Sequence, residues 1–528
     1  MYDVVVKNGH IMDGCGNPWF TADVGIKDGR VVRIGNLADV SAAQILDAAG
    51  QIVSPGFIDI HCHSDVLMFL EPREQGKILQ GVTTEVIGNC GTSPAPLDEE
   101  SLSLFLKQAS PTFRDSRVKW NWRSVGEYLD RVDEHKSIGN VAMLAGHGML
   151  RIGAMGFDDR DPTAQELTKM KNLVGQALDE GAFGLSSGLV YPPGVFSKTD
   201  EISELCKIVA AKGGFYATHI RNEADELITA VAEAIQVAEL SNVPLEISHH
   251  KACGRHNWGK CSQTLSMIDE ARYRGFDVTC DVYPYIAAST SLKTLLPPWV
   301  HDGGVSALLE RIRNPTVQQR ICREIAEGLP GWENSAKSTG WDGIMIAYCQ
   351  SKKDYEGKTL QQLADSKCQT PEEIMFRLLL DEEARVLMNE FSMTEDDVKT
   401  ILRHPTSMVG SDAIPSSGKP HPRFYGTFPR VLAKYVREDQ VLSLQEGVRK
   451  MTSLPAQKLG LRDRGVLREG AWADIVIFDP ITIADRATFA EPMQFPVGVD
   501  TVLVNGTVAV KFGKYTGSLS GKALRKNS

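Results

Sequence analysis

The sequence predicts an α/β fold, a (β/α)8 TIM-like barrel with a small β-sandwich domain formed by the N- and C-terminal segments. Three observations support this prediction: short strands with hairpin turns at both ends of the chain, alternating strands and helices between them, and histidines that directly follow predicted strands. We assign residues 1–53 and 465–528 to the β-sandwich. Residues 54–464 then form the barrel, with an insertion or lid region at about 290–400, where the alternation is interrupted.

Both ends of the chain have the pattern of short strands joined by tight turns. Near the N-terminus, Asn8-Gly9 and Asp28-Gly29 are hairpin signals between alternating segments. Near the C-terminus, Asn505-Gly506 separates two further apolar segments. Because the two ends share this character, we expect them to form one β domain beside the barrel.

The first barrel strand is an apolar run, Ile52 to Ile60, that leads into His61 and His63. Residues i and i+2 of a strand project from the same face, so the two imidazoles would point together from its carboxyl end. Two adjacent imidazoles can clamp a divalent metal. The alternative is a polar strand end that carries two surface histidines, since the motif is short.

Seven further strands are predicted in the barrel, separated by helices or, before the last one, by the insertion. The best marked helix covers 163–180, where Thr163 and Glu166 form a capping box. The predicted strands two to eight are Val82–Ile87, Asn140–Ala145, Ala182–Ser186, Phe215–Thr218, Pro244–Ser248, Phe276–Val282 and Ser407–Ser411.

Metal-ligating residue types follow the carboxyl ends of these strands, where the active sites of such barrels lie. Besides His61 and His63, they are Cys90, His147, His219, His249 and Asp412. Imidazole and thiolate ligands favour zinc, so a zinc site, or one tight site with a weaker second, is predicted at this end of the barrel.

Two of these residues have structural alternatives. Cys90 lies between glycine and asparagine and would be an ordinary buried thiol if it were not near the histidines. Asp412 could ligate metal, shuttle protons beside it, or cap a helix that begins near Ile414.

Composition narrows the class of protein. The chain has 528 residues, a net charge of -10 and no long basic run, so a nucleic-acid partner is not expected. No window approaches about 18 consecutive apolar residues, so no membrane partner is expected. The ten cysteines are scattered without a CxxC pair, and the N-terminus lacks a basic region followed by an apolar segment. These features predict a cytoplasmic protein, and they leave its oligomeric state open.

Several motifs carry a resemblance to a known family. Pro55-Gly-Phe-Ile-Asp-Ile-His61-Cys-His63 resembles the first-strand signature of the amidohydrolase superfamily. Other motifs are similar, in order and spacing, to those of D-aminoacylases (N-acyl-D-amino-acid deacylases). They are Gly88-Asn-Cys90-Gly91, Gly146-His147-Gly-Met-Leu-Arg, Tyr191-Pro-Pro-Gly, Thr218-His219-Ile-Arg-Asn-Glu, Ser248-His249-His250-Lys251, Asp281-Val-Tyr283-Pro-Tyr, Gly410-Ser-Asp412 and Lys419-Pro-His-Pro-Arg423. One departure is Ala413, where glycine is usual in this group.

The resemblance implies zinc-dependent hydrolysis of the amide bond of N-acyl-D-amino acids, which yields a carboxylate and a free D-amino acid. It assigns the tight zinc to Cys90, His219 and His249. It places His61, His63 and Asp412 at a weaker second site, with Cys90 as a candidate bridging ligand. In other branches of the superfamily a lysine from the fourth strand bridges two metals, whereas the fourth strand of this sequence supplies no lysine.

The resemblance also implies roles in catalysis and substrate binding. Asp412 is expected to be the general base and general acid. Lys251, Tyr283 and Ser289 are candidates for binding the substrate α-carboxylate, and Tyr191 for stabilising the oxyanion. His147 is a further candidate without an evident metal partner. The alternative for these groups is that they are ordinary polar residues of loops.

Two other functions are considered. The first is a cyclic amidase of the hydantoinase or dihydroorotase type, against which the missing lysine of strand four counts. The second is a non-catalytic relative that keeps the barrel for binding or assembly. Such a protein would have lost metal ligands, whereas this sequence retains all those expected.

Overall fold

The computed structural model describes residues 1–71 and 74–526. Its strands, in chain order, are β1 Tyr2–Ile11, β2 Phe20–Lys27, β3 Arg30–Gly35, β4 Ala42–Asp47, β5 Ile52–Pro55, β6 Phe57–Asp59, β7 Val82–Ile87, β8 Asn140–Gly146, β9 Gly184–Gly188, β10 Phe215–His219, β11 Leu245–Ile247, β12 Val278–Val282, β13 Ala288–Ser291, β14 Ile344–Tyr348, β15 Leu387–Glu390, β16 Ser407–Val409, β17 Ile475–Phe478, β18 Val499–Val504, β19 Thr507–Lys511 and β20 Lys514–Tyr515.

Helices connect most of the barrel strands and fill the segment between β12 and β16. They are α1 Glu99–Gln108, α2 Val125–His135, α3 His147–Met155, α4 Ala164–Asp179, α5 Thr199–Ala211, α6 Leu227–Ser241, α7 Cys261–Tyr273, α8 Gly304–Ile312, α9 Pro315–Glu327, α10 Ser335–Thr339, α11 Leu360–Lys367, α12 Pro371–Asp381, α13 Glu395–Arg403, α14 Arg423–Arg430, α15 Leu444–Met451 and α16 Ser453–Leu459, with a π-helical segment at Val431–Glu438. The capping box of Thr163 and Glu166 starts α4, as the sequence predicts.

The predicted (β/α)8 barrel is confirmed. In the described part of the chain, eight parallel strands pair in the order β16-β12-β11-β10-β9-β8-β7-β6. A bridge between Cys62, just after β6, and Ala413, just after β16, joins the two ends of this sheet. The carboxyl ends of all eight strands therefore surround one site.

The terminal segments together form a separate β domain. Among the described residues, β1–β5 and β17–β20 make one continuous nine-stranded sheet, in which β5 pairs with both β1 and β17. Its core contains side chains from both ends of the chain, including Val6, Ile26, Val53, Ile475 and Leu503. The two ends of the chain therefore meet in one sheet, as the sequence predicts.

The apolar run before His61 is divided between the two domains. Residues 52–55 form β5 of the terminal sheet, whereas residues 57–59 form β6 of the barrel. Gly56 separates them, and it packs so closely on the barrel that an added Cβ would lie 2.3 Å from the Thr83 side chain. One predicted strand is therefore two, and the second carries the histidines.

The segment between β12 and β16 has a core of its own. Within the described residues, β13, β14 and β15 form a three-stranded antiparallel sheet, with β15 in the middle. Helices α8–α12 pack on it through buried side chains that include Leu292, Val300, Ile344, Phe376 and Met388. Its proposed role as a lid stays a prediction.

Gly88 turns the chain from β7 toward Cys90, and an alanine substitution at this position would test how tightly the turn is packed. Its φ is +77°, and an added Cβ would lie 2.1 Å from the Leu144 carbonyl oxygen. Gly460, at the end of α16, has a similar φ of +73°, with no described atom within 4 Å of its Cβ position. Both alanine variants bear the strain of a positive φ, about 1 kcal/mol, but only Gly88→Ala must also displace backbone.

We therefore expect Gly88→Ala to lower the free energy of unfolding by roughly 1–3 kcal/mol more than Gly460→Ala. Urea denaturation of both variants measures this difference. Equal losses in the two variants would show that the β7 turn is not close-packed.

Candidate metal centre

Four residues from four strand ends converge at the carboxyl end of the barrel. His61 follows β6, Cys90 follows β7, His249 follows β11 and Asp412 follows β16. All four are buried, and one ligand atom from each lies within 4.8 Å of the others. The structure thus brings together groups that are far apart in the sequence.

Cys90 is at the centre of the imidazoles. Its Sγ lies 3.3 Å from His61 Nε2, 3.4 Å from His249 Nε2 and 4.0 Å from His219 Nδ1. His219 is the last residue of β10 and is also buried. Three histidines from three different strands therefore face one thiol.

These distances fit a shared zinc ion. Zinc binds sulfur at about 2.3 Å and imidazole nitrogen at about 2.0 Å, so two tetrahedral ligands of these kinds lie roughly 3.5 Å apart. The three measured separations are 3.3, 3.4 and 4.0 Å. The donor set of one thiol and imidazoles is that of zinc sites in proteins.

His63 lies beside Asp412, with its ring centre 5.6 Å from that of His61. Its Nε2 is 3.1 Å from Asp412 Oδ1, and His61 Nε2 is 3.4 Å from the same oxygen. The second carboxylate oxygen of Asp412 lies 2.9 Å from an Arg423 guanidinium nitrogen. Asp412 is therefore held between two imidazoles and a buried cation.

The backbone at the centre is strained where ligands are presented. Cys90, His249 and Asp412 have positive φ values of 51°, 35° and 49°. Left-handed conformations are rare for residues with a Cβ and accumulate at functional sites, where the surroundings enforce them. Each of the three residues follows the end of its strand, so the unusual turn directs the side chain into the barrel mouth.

Two carboxylates support the histidines from outside. Glu223 Oε1 lies 3.0 Å from His249 Nδ1, and Asp281 Oδ2 lies 3.2 Å from His61 Nδ1. A metal-binding histidine usually donates its second ring N–H to such a partner, which fixes the orientation of the ring. In both histidines the opposite nitrogen, Nε2, faces Cys90.

The electrostatics of the centre favour ionised ligands. Burial disfavours the thiolate most strongly, but His61 and His249 hold the pKa of Cys90 well below its ordinary value. Burial also opposes ionisation of Asp412, yet Arg423 and the histidines keep its pKa well below the usual range. Thiolate and carboxylate are the forms that bind a metal.

Lys251 is a second buried cation near the centre. Its Nζ lies 2.6 Å from Glu223 Oε1 and 5.5 Å from the centre of the Tyr283 ring. Burial alone would lower the pKa of Lys251, but Glu223 raises it above its ordinary value. Lys251 therefore presents a positive charge in the wall of the site.

A cleft with two lobes opens onto this centre. The polar lobe, about 750 Å³, is lined by His219, Glu223, His249, Lys251 and Tyr283, among others. The apolar lobe, about 1150 Å³, is lined by Phe105, Phe113, Met149, Ile152 and Ile414, among others. Tyr191, Ser289, Thr290 and Asp412 line both lobes, so the lobes meet at the metal centre.

The remaining residues proposed from the sequence have different positions. Tyr191 and Ser289 lie where the lobes meet, and Tyr191 stacks edge-on against His219 at a ring distance of 4.9 Å. His147 is fully buried, with Nε2 2.7 Å from Glu201 Oε1. It is not among the described residues that line either lobe, so its part in substrate binding stays a prediction.

Three supporting residues have no role in the sequence analysis. They are Glu223, Asp281 and Arg423, and each lies within a motif that carries the family resemblance. Glu223 is four residues after His219, and this short spacing could have indicated that it lies near the metal centre. The partners of Asp281 and Arg423 are 220 and 11 residues away, so only the fold shows these contacts.

Comparison with known proteins agrees with this geometry. The model of the amidohydrolase family matches residues 44–510. The chain is 37% identical over 507 residues to N-acyl-D-glutamate deacylase of Alcaligenes xylosoxydans xylosoxydans, which covers 96% of this chain and 93% of that protein. The chain belongs to the amidohydrolase family.

Solved structures give the same result. A zinc-containing crystal structure of N-acyl-D-glutamate deacylase from Bordetella bronchiseptica, with a phosphonate mimic of the tetrahedral intermediate, superposes with a TM-score of 0.83 at 37% identity, covering 99% of each chain. A D-aminoacylase structure, from work on its binuclear metal centre, gives 0.84 at 34% identity, covering 99% of this chain and 100% of that one. A D-hydantoinase gives 0.56 at 18% identity over 99% and 98% of the two chains, so it shares the fold.

The division of the ligands into a tight site and a weaker site, which the family resemblance implies, can be tested. Cys90, His219 and His249 come from three strands and suffice for a three-ligand zinc site, whereas His61 also faces Asp412. We expect Cys90→Ala to abolish tightly bound zinc and His61→Ala to retain most of it. Elemental analysis of the dialysed proteins measures the zinc per chain.

Cys206→Ala is the matched control, because Cys206 is also a fully buried thiol but belongs to α5. It should keep the zinc content of the unaltered protein. Equal zinc loss in His61→Ala and Cys90→Ala would contradict the division into a tight and a weaker site.

Proposed function

We propose that this chain hydrolyses the amide bond of N-acyl-D-amino acids and releases a carboxylate and a free D-amino acid. The observation that carries this proposal is the position of the Cys90–His219–His249 cluster, with Asp412, between a lobe that contains Lys251 and an apolar lobe. An amide at the centre would have one lobe for each of its two substituents. Relatives with 37% and 34% identity deacylate N-acyl-D-glutamate and act as a D-aminoacylase, which supports this reaction.

Zinc is the metal that we propose for the centre. Cys90, His219 and His249 would hold one ion tightly, and His61, His63 and Asp412 would face a weaker second position. Bound zinc supplies a Lewis acid for the acyl carbonyl and lowers the pKa of a water ligand. The solved N-acyl-D-glutamate deacylase contains zinc, and the work on D-aminoacylase describes a binuclear centre, which supports both positions.

Asp412 is the proposed general base. Its carboxylate is ionised, and Arg423 and His63 fix its orientation through contacts of 2.9 and 3.1 Å. It would accept a proton from the attacking water as the new carbon–oxygen bond forms. The same proton would pass to the leaving nitrogen as the carbon–nitrogen bond breaks, so that a neutral amine departs.

Lys251, Tyr283 and Ser289 are the proposed ligands of the substrate α-carboxylate. The charge of Lys251 is maintained by Glu223, and burial raises the pKa of the Tyr283 phenol, which keeps its proton. The Tyr283 hydroxyl has a sulfur acceptor, Met393 Sδ, at 3.6 Å, a weak bond that a carboxylate can replace. Ser289 lies on β13 at the join of the lobes.

Tyr191 is the proposed oxyanion donor. Its hydroxyl lies 3.2 Å from Thr290 Oγ1 at the junction of the lobes. Burial, and then the charge on Cys90, raise its pKa well above the ordinary value, so the phenol remains a hydrogen-bond donor. A donor at this place can stabilise the negative charge that develops on the carbonyl oxygen.

The two other functions considered from the sequence have less support. The strand that would carry a bridging lysine, β9, reads Gly-Leu-Ser-Ser-Gly and is fully buried, as expected if Cys90 takes that place. A non-catalytic relative would not need the strained ligand backbone or the buried pairs of Arg423 with Asp412 and Lys251 with Glu223. The cyclic amidases share the fold at low identity.

Two further features concern bilayer-spanning helices and the cellular compartment. Within residues 1–71 and 74–526, no helix combines the length and apolar character that a bilayer crossing requires. All ten cysteines lie in the described part of the chain and are unpaired there. A reducing, cytoplasmic compartment is our proposal from this pattern.

The reaction is tested with N-acetyl amino acids in both enantiomers. We expect hydrolysis of the D forms and at least about tenfold lower kcat/KM for the L forms, because the relatives with 37% and 34% identity are an N-acyl-D-glutamate deacylase and a D-aminoacylase. Amino-acid release measured by a ninhydrin assay gives both values. Activity on dihydrouracil alone, or a preference for the L forms, would overturn the proposal.

The role of Asp412 is tested by Asp412→Asn. We expect kcat to fall about a thousandfold, the typical effect of losing a general base. Asp485→Asn is the control, because Asp485 also pairs with an arginine, the half-buried Arg430 at 3.1 Å, but lies outside both lobes. If both variants lose activity equally, the effect of Asp412 is structural rather than chemical.

A further inference from the structure

We propose that the apolar lobe binds the acyl group of the substrate and that Lys293 binds a carboxylate at the far end of that group. The preferred substrates would then carry dicarboxylic acyl groups such as succinyl or glutaryl. This inference rests on the proposed function and adds the class of acyl group.

The positions of the charged residues decide which lobe takes which part of the substrate. Lys251 and Tyr283, the proposed ligands of the α-carboxylate, line the polar lobe but not the apolar lobe. The two lobes meet at Asp412 and Tyr191, where the reacting amide would lie. With the amino-acid part in the polar lobe, the acyl part must extend into the apolar lobe.

The walls of the apolar lobe suit a methylene chain. Phe105 and Phe113 form one side, with ring centres 5.1 Å apart, and Met149, Ile152 and Ile414 form others. Burial of each methylene group on such walls is favourable, because it removes apolar surface from water. An acetyl group would leave most of this surface without contact, so the lobe fits a longer acyl group.

Away from His63 and Asp412 at the metal centre, Lys293 is the charged side chain among the described residues that line the apolar lobe. Its Nζ donates a hydrogen bond of 2.9 Å to the Gln108 carbonyl oxygen at the end of α1. Among residues 1–71 and 74–526, no aspartate or glutamate lies within 4.0 Å of Nζ. An ammonium group has three protons, so the contact with Gln108 leaves two of them available.

Burial of this ammonium is costly without an anion. Desolvation lowers the pKa of Lys293 to about 8. A carboxylate on the ligand would restore a full charge partner and make a charge-assisted hydrogen bond inside the lobe. A pocket with apolar walls and one placed charge is the usual design of a small-molecule site.

The carboxylate could also come from the amino-acid side chain, as in N-acyl-D-glutamate. That side chain shares the α-carbon with the carboxylate bound by Lys251, which places it in the polar lobe. Lys293 does not line that lobe, and two glutamates, the half-buried Glu333 and the buried Glu390, do. The geometry therefore favours the acyl group as the source.

The test compares N-succinyl-D-leucine with N-butyryl-D-leucine. Both acyl groups have four carbons, and they differ by a terminal carboxylate in place of a methyl group. With the unaltered protein we expect kcat/KM to be about tenfold higher for the succinyl substrate, as one charge-assisted contact provides. This arm needs no variant, so it does not depend on the folding of a mutant.

Variants then locate the contact. Lys293→Met should remove the preference for succinyl and leave butyryl hydrolysis within about twofold. Lys293→Gln keeps a donor for the Gln108 carbonyl but no charge, and it should lose the preference to the same degree. Lys107→Met, an exposed lysine on α1, should behave like the unaltered protein.

Three outcomes would overturn the inference. The first is an unaltered protein that hydrolyses butyryl at least as well as succinyl. The second is an equal loss of both activities in the two Lys293 variants. The third is a preference for N-acetyl-D-glutamate over N-acetyl-D-glutamine that Lys293→Met abolishes, which would place the amino-acid side chain at Lys293. If acetyl, butyryl and succinyl substrates all remain intact, the proposed function itself fails.

Discussion

The closure of the barrel between β6 and β16 is the constraint on which the metal centre depends. The Asp412 amide donates to the His61 carbonyl at 2.7 Å, and the His63 amide donates to the Ala413 carbonyl at 3.1 Å. Below this junction, the buried Asp59 accepts from the Ser411 amide at 2.8 Å and pairs with Lys77. These bonds bring the two histidines beside an aspartate some 350 residues away in the sequence.

Charge at the centre is balanced in pairs, and this balance explains how so many ionisable groups can be buried together. Arg423 neutralises Asp412, and Lys251 neutralises Glu223. Removing one partner of a buried pair is expected to cost more than the pair contributes, because an unpaired charge remains. The thiol of Cys90 has imidazole neighbours instead of a fixed cation, so its charge is available to a metal.

The sequence predicts the barrel, and the residues that the structure brings together at its mouth, because both depend on local patterns. Apolar strands end in histidine, cysteine or aspartate, and the parallel sheet places those ends together. The boundaries are less accurate: the predicted fourth strand, Ala182–Ser186, is Gly184–Gly188 in the structure. The supporting contacts of Asp281 and Arg423 could not be predicted, since they join residues whose proximity depends on the register of distant strands and on α14.

The segment between β12 and β16 carries residues of the proposed substrate-binding site, whereas other elements carry the candidate metal ligands. It has its own hydrophobic core, so its side chains can change without disturbing the barrel strands that carry the ligands. Yet Ser289 and Lys293 extend from this segment into the cleft, beside a centre built by other elements. Relatives can therefore differ in the acyl and amino-acid groups they accept without a change in the barrel strands that carry the candidate ligands here. The residues of this segment, rather than the histidines, are where such differences are expected to arise.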